Sequence, residues 1–231
     1  MLTLFPEGFE EADVGEVIEL RAYTDAKGEQ RARADFGNVV TSDVPADWET
    51  RWREFHRAVR VGSLWVGPPW VERPDGATAV VIEPGRAFGT GAHPTTRLCV
   101  ELLSVLPRGS LLDVGCGSGV VAIAASLLGF APVMAVDKDP SAVEAAARNA
   151  AANGVELHLG RADAEVDPLP AADAVVANID ERLVELVGNR VASDWLVTSG
   201  YFESHTPKLS GYRHVERRTE DGWAADLHTR E

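Results

Sequence analysis

The chain has 231 residues, two cysteines and a formal net charge of −14, with 45% apolar and 25% charged residues. That is an ordinary globular composition, long enough for one full α/β domain and a smaller appendage. No apolar run approaches the roughly 18 residues that cross a bilayer, the N-terminus lacks the basic start and long apolar stretch of a signal peptide, and the acidity penalises direct binding to a phosphate backbone. The same acidity attracts a basic protein partner, although it also serves solubility. Cys99 falls in a predicted helix and Cys116 in a glycine loop, so neither suggests a disulfide framework or a metal site. A reducing cytoplasm, no membrane, no direct nucleic acid, no metal and a monomer by default are the expectations.

Residues 1–46 read as a short β-rich region. Val17 to Thr24 and Arg31 to Phe36 are strand-like, with turn chemistry at Asp25-Ala26-Lys27-Gly28 between them. Residues 47–78 read as an arm. Asp47 caps a short helix with Trp48, Trp52 and Phe55 on one face, and a strand through Leu64-Trp65-Val66 runs to the break Gly67-Pro68-Pro69. Residues 79–231 are more regular. Val80-Val81-Ile82 is a strand, Thr95 to Leu106 a helix entered through Pro94, Leu111 to Val114 a strand, Val120 to Leu128 a helix and Val133 to Val136 a strand. Ser141 to Asn153 is a helix ended by Gly154, followed by strands at Val155 to Leu159, Ala174 to Ala177 and, after another helix, Leu196 to Thr198. Tyr212 to Arg217 and Trp223 to His228 flank Asp221-Gly222, a tight turn that makes the last two strands antiparallel. Alternating β and α elements imply an α/β fold with a parallel sheet covered on both faces. With the terminal hairpin, the pattern resembles the seven-stranded methyltransferase variant of the Rossmann fold, mostly parallel with an antiparallel last strand.

The first strand of this sheet runs into Asp113-Val114-Gly115-Cys116-Gly117-Ser118-Gly119. Glycines here let the backbone turn tightly and approach a ligand. Dinucleotide enzymes space them G-x-G-x-x-G, whereas this loop reads G-x-G-x-G behind an acid, which resembles the cofactor loop of S-adenosylmethionine-dependent methyltransferases and disfavours a nicotinamide oxidoreductase. Asp137 ends the next strand about 20 residues on, where a carboxylate takes ribose hydroxyls. Asp163, after the third strand, stands where an acid commonly meets an adenine amine, or is a surface charge. Asn178 ends the apolar run Val175-Val176-Ala177 at the carboxyl edge of the sheet, where ligands bind in doubly wound folds. The segment from Glu83 to Thr96 is dense in glycine, proline and threonine and opens a helix, whose free N–H groups suit a carboxylate. Thr95 and Thr96 read as caps or as part of a lid with Phe88-Gly89-Thr90-Gly91. His93 is a candidate base but reads more simply as a hydrogen-bonding or packing residue.

Trp48-x3-Trp52, Val61-Gly62-x-Leu64-Trp65-Val66-x-Pro68-x-Trp70, Phe88-Gly89-Thr90-Gly91-x-His93-x-Thr95-Thr96, Asp113 to Gly119 and Val176-Ala177-Asn178-Ile179 occur in this order in the PrmA family, which the chain resembles from about Trp48 to its end. Those enzymes methylate amines of a large-subunit ribosomal protein, number eleven. The resemblance implies S-adenosyl-L-methionine as cofactor, with Thr96, Gly115, Asp137 and Asn178 as its contacts by position, and the glycine loop and strand ends add Asp113, Gly117, Gly119 and Asp163 as expected cofactor-binding residues. Catalysis falls to Asn178, orienting the amine, and to Phe88 and Thr90, closing the pocket. The expected acceptor is a lysine side chain or N-terminal amine of a protein. Family members usually carry a complete small α/β domain in front. The 47 residues ahead of Trp48 are too few for it in full, so the expectation is a shortened N-terminal region, and a small molecule or another protein is the alternative acceptor. Glutamine-modifying relatives carry Asn-Pro-Pro-Tyr at the fourth strand. Asn178-Ile179-Asp180-Glu181 departs from it.

Overall fold

The computed structural model describes residues 10–14, 17–21, 26–37, 39–41, 57–84 and 89–231. The chain divides into two compact units, Met1–Thr50 and Arg51–Glu231.

In the first unit, β1 (Glu10–Val14) and β2 (Val17–Arg21) form an antiparallel hairpin, followed by α1 (Ala26–Phe36). The expected strand at Arg31–Phe36 and the turn through Ala26-Lys27-Gly28 are therefore corrected to helix. The alternation of Ala32, Ala34 and Phe36 with charged residues mimics a strand period. Gln, Arg and Ala are nonetheless good helix formers and no β-branched residue is present. Glu29 and Arg33 pair at 3.0 Å one turn apart, the favourable orientation for a helix. Gly37, at φ 73°, closes the helix with its N–H on the Arg33 carbonyl. The expected helix carrying Trp48, Trp52 and Phe55 lies outside the described residues.

In the second unit, β3 (Val59–Val61) pairs antiparallel with β4 (Leu64–Gly67), which pairs parallel with β5 (Thr78–Val81). The strand expected at Val80-Val81-Ile82 thus belongs to this small sheet, outside the main one. The main sheet has seven strands: β6 (Leu111–Val114), β7 (Val133–Asp137), β8 (His158–Arg161), β9 (Ala174–Asn178), β10 (Trp195–Phe202), β11 (Tyr212–Glu220) and β12 (Trp223–Arg230). Their order is β11-β12-β10-β9-β6-β7-β8, and β12 alone runs against its neighbours. This is the expected mostly parallel sheet with a reversed last strand. Asp221 and Gly222 both have positive φ (51° and 80°), as a two-residue type I′ hairpin turn requires.

Four helices cover the sheet: α2 (Pro94–Ser104), α3 (Val120–Leu127), α4 (Pro140–Asn153) and α5 (Glu181–Gly188). Successive residues of the central strands enter opposite cores. Leu111, Ala174, Val176 and Val197 join the core that also holds residues of α2, α3, α4, β4 and β5. Leu112, Val175, Ala177 and Leu196 join the other, with Val187 of α5. Strands buried on both faces read as continuous apolar runs, which is why they stand out in the sequence. The third strand begins at His158 rather than at the expected Val155. Gly154, at φ 64°, caps α4, and Val155 and Leu157 pack on the core while carrying the chain to the edge.

Candidate active site

The carboxyl ends of β6, β7, β8, β9 and β10 form one edge, and the segments leaving them carry most of the predicted residues. Gly115, Gly117 and Gly119 all have positive φ (73°, 54° and 80°), so the loop after β6 turns in a way side chains resist. A β-carbon on Gly115 would collide with the Ile179 side chain, so glycine lets the loop lie against the segment after β9. The Gly117 N–H donates to Asp137 Oδ2 at 3.0 Å, and Asp137 Oδ1 accepts the Asp139 N–H at 2.9 Å. Each oxygen has a second lone pair, so the carboxylate can still accept hydroxyls.

Asp113 lies beneath the loop. It is only 2% exposed, and its Oδ2 accepts the Ala122 N–H at 3.1 Å, satisfying a donor of the first turn of α3 that Gly119 has no side chain to cap. Burial pushes its carboxyl up to about 7; the Ala122 hydrogen bond opposes this and the charge of Asp137 adds to it. Asp163, half-buried after β8, accepts the Glu165 N–H at 2.9 Å and donates its own N–H to Asp167.

On the other side of the loop, His93 caps α2. Its Nδ1 accepts the Thr95 N–H at 3.4 Å and lies 2.8 Å from Thr95 Oγ1, while its ring meets Trp223 edge-on at 4.9 Å. Burial, with Arg97 adding, lowers its pKa. The cap is therefore His93, and neither threonine is needed for it. Thr96 is 2% exposed, and its hydroxyl has no hydrogen-bond partner among the described residues. An orphaned buried hydroxyl costs free energy unless something else satisfies it. Thr90 is half-buried in the loop ahead of α2. Phe88 lies outside the described residues.

Asn178 is the last residue of β9, level with Ser199 of β10. Its side chain makes no hydrogen bond among the described residues. The next residue, Ile179, is held from both sides, by Gly115 and by Gly200. Gly200 sits in a bulge of β10 at φ 102°, with its Cα pressed on the Ile179 peptide.

Three anchoring residues escaped the sequence reading. Asn149 of α4 accepts the Glu83 N–H at 3.1 Å and donates to the Ser118 carbonyl at 2.9 Å, joining both site loops. Ser118 donates from Oγ to the Gly89 carbonyl. Arg97 holds the Ala92 carbonyl and pairs with Glu220 at 2.8 Å, tying the α2 loop to the terminal hairpin. None of the three carried a sequence signal, whereas Gly200, missed as well, did: an isolated glycine inside a strand often marks a bulge or a close backbone approach. Among the described residues no cluster of His, Cys, Asp or Glu is arranged to hold a metal, and no helix is long and apolar enough to cross a membrane.

The strand order, the reversed β12 and the glycine loop between β6 and α3 define a Rossmann-like domain of the methyltransferase type. Within that class the chain belongs to the family described as ribosomal protein L11 methyltransferase (PrmA), whose model matches residues 8–229. It is 44% identical over 159 residues to the ribosomal protein L11 methyltransferase of Burkholderia orbicola (strain MC0-3), covering 67% of this chain and 52% of that protein. With the Herpetosiphon aurantiacus protein of the same description the identity is 33% over 227 residues, covering 82% of this chain and 71% of the relative. The crystal structure of ribosomal protein L11 methylase from Lactobacillus delbrueckii subsp. bulgaricus superposes with a TM-score of 0.65 at 28% identity, over 75% of this chain and 98% of that one. The chain spans 52% and 58% of the length of two of its most similar curated relatives.

Proposed function

We propose that this chain is an S-adenosylmethionine-dependent N-methyltransferase acting on an amino group of a protein, a lysine side chain or an N-terminal amine, with ribosomal protein L11 as the first candidate substrate. The observation that carries this reading is the buried Thr96 hydroxyl, left without a hydrogen-bond partner among the described residues at the start of the helix that follows the Gly89–His93 loop, together with the partly exposed Asn178 at the end of β9, next to the Ile179 that packs on Gly115. Family membership supports the substrate, because the relatives are described as ribosomal protein L11 methyltransferases.

The residues present fit the cofactor. The turned loop would offer backbone to the methionine part, Asp137 has lone pairs for the ribose hydroxyls, Asp163 would take the adenine amine, and the Thr96 hydroxyl would gain the partner it lacks among the described residues. When bound, S-adenosylmethionine supplies a methyl group already activated on a sulfonium. The chain's own task is then to place a neutral amine in line with that carbon, so most of the acceleration comes from proximity and orientation. Asn178 would accept a hydrogen bond from the amine and fix its direction, and Thr90 would help to close the pocket, a role the sequence pattern alone also gives to Phe88. Burial lowers the amine's pKa and favours the form that can attack. A cytoplasmic site of action accords with the two free, buried cysteines.

The test is transfer of label from radiolabelled S-adenosylmethionine to purified ribosomal protein L11, by the native chain and by Asn178→Ala. Labelled L11, with at least a hundredfold loss in the variant, is the expected result. Label on a different acceptor would keep the methyltransferase and remove L11. Full turnover by Asn178→Ala would sink the role given to Asn178.

A further inference from the structure

Beyond Asn178, the same edge of the sheet carries an aromatic surface that the methyl-transfer reading does not use. Phe202 ends β10 and pairs in register with Trp223, which opens β12. Their rings stack at 4.5 Å with planes 30° apart, and His93 meets the Trp223 ring edge-on at 4.9 Å. Phe202 is 60% exposed, a large apolar ring left in water beside the site, whereas the neighbouring Tyr201 is 2% exposed. The backbone beneath is rigid. Arg217 donates to the carbonyls of Glu203 and His205 at 3.1 and 2.8 Å, and Arg217 is itself held by the buried Asp226 at 2.7 Å. The rim is acidic. Glu220 and the exposed Asp221 form the end of the hairpin, and the Glu203 N–H donates to the Gly222 carbonyl, which brings the backbone of a third acidic residue beside them. Arg97 offsets one of the three, and Arg217 is neutralised by Asp226.

We propose that Phe202 and Trp223 form an aromatic shelf that holds a cationic side chain flanking the acceptor amine of a polypeptide substrate. An exposed ring such as Phe202, stacked on a second aromatic ring, attracts ammonium and guanidinium groups, and acidic neighbours add to the attraction. The occupant flanks the acceptor because of spacing. Phe202 lies three residues beyond Ser199, the residue level with Asn178, and three residues of strand cover roughly 10 Å. An extended polypeptide that runs in the direction of β10 with its acceptor at Asn178 therefore presents a residue about three positions away to the shelf. The shelf thereby selects acceptors with a nearby lysine or arginine.

This inference rests on the proposed protein-amine methylation, so its test has a readout independent of turnover. The Trp223 indole N–H resonance, identified among the six tryptophans by Trp223→Phe, is followed while the tripeptide acetyl-Gly-Lys-Gly-amide is added, and again with norleucine in place of lysine. A shift with lysine and none with norleucine is expected. Equal response to both, or to neither, overturns the shelf whether or not the protein methylates anything. In the kinetic arm, Phe202→Ala lowers kcat/KM for ribosomal protein L11 about tenfold, the size of one cation–π contact. The loss lies in KM, and affinity for S-adenosylmethionine stays within twofold. An unchanged KM overturns the shelf, whereas absence of L11 turnover by the native chain is a failure of the substrate assignment, and the indole shift still decides.

Discussion

Replacing Gly200 with alanine tests whether the backbone behind Asn178 sets the geometry of the site. Gly200 has φ 102°, a conformation whose cost for an L side chain is about 1–3 kcal/mol. The added β-carbon would also overlap the Ile179 carbonyl oxygen and lie 2.7 Å from its carbonyl carbon and 3.0 Å from its nitrogen. Restoring an ordinary 3.4 Å contact to that carbon demands a shift of at least 0.7 Å, and the oxygen demands more. These are backbone atoms, so no rotamer change relieves the clash. Either β10 or the Ile179-Asp180 peptide must move, and the Ile179 N–H bond to the Ser199 carbonyl at 3.2 Å passes the displacement back towards Asn178. A displacement near 1 Å at an orienting residue costs about 10- to 100-fold in rate, and the strain lowers the melting temperature by about 2–4 °C per kcal/mol in a chain of this size. Thermal denaturation and single-turnover methyl transfer measure the two effects, with calorimetric titration of S-adenosylmethionine as the control. Native turnover in Gly200→Ala, with a melting temperature within one degree of native, would refute the argument.

Thr96→Val should move stability and ligand affinity in opposite directions. Removing a buried hydroxyl that has no partner among the described residues raises ligand-free stability by about 1–2 kcal/mol, and S-adenosylmethionine affinity falls about fivefold because one hydrogen bond is lost. A stabilised variant that binds as well as the native chain would remove Thr96 from the cofactor site. Asp113→Asn should flatten part of the pH profile of stability. Burial raises the carboxyl in the fold to about 7 from an ordinary value near 3.8, so the folded chain holds this proton more tightly than the unfolded chain does. That contribution is fully present below about pH 4 and is lost as pH rises through about 7, a difference of a few kcal/mol at about 1.4 kcal/mol per unit. Asparagine keeps an oxygen for the Ala122 N–H and carries no charge, so the variant should gain on the native chain between pH 5 and pH 8 in paired denaturant titrations. A constant difference across that range would show that Asp113 ionises without penalty.

Most of the main sheet was legible because its central strands are buried on both faces, and Asp221-Gly222 marked the hairpin that reverses β12. The glycine loop and the polar residues ending the strands were legible for a related reason: an apolar run that stops at Asp137 or Asn178 locates the sheet edge. The misreading of Arg31–Phe36 came from a period-two pattern in a segment whose burial is slight, where propensity and an i, i+4 ion pair decide. Anchors such as Asn149 were illegible for a different reason. It sits 66 residues from the backbone N–H it receives and 31 from the carbonyl it serves. Neither periodicity nor local turn chemistry encodes a bond of that range, and an asparagine inside an alanine-rich helix reads only as a weak helix former.

Those long-range bonds bear on how the chemistry divides between chain and solvent. Gly117 is held by Asp137, Ser118 by Asn149 and Gly89, Ile179 by Ser199, and the loop before α2 by Arg97, so the segments flanking the site are fixed to one another within the protein itself. His93, the histidine in these segments, already uses Nδ1 to cap α2, and burial beside Arg97 makes its ring a weaker base still. A lysine amine of pKa about 10.4 is neutral in only about one molecule in 2,500 at pH 7. Transferring it into a pocket that lowers its pKa by about three units leaves roughly a quarter of it neutral at pH 7, a gain of several hundredfold that is comparable to general-base catalysis. Desolvation can therefore prepare the nucleophile before attack, with the proton passing to water on entry. On the proposed amine-methylating reading, the residues at the edge would be left the work of orientation: Asn178 to aim the nitrogen, and the glycine-lined loops to keep the methyl group in line with it.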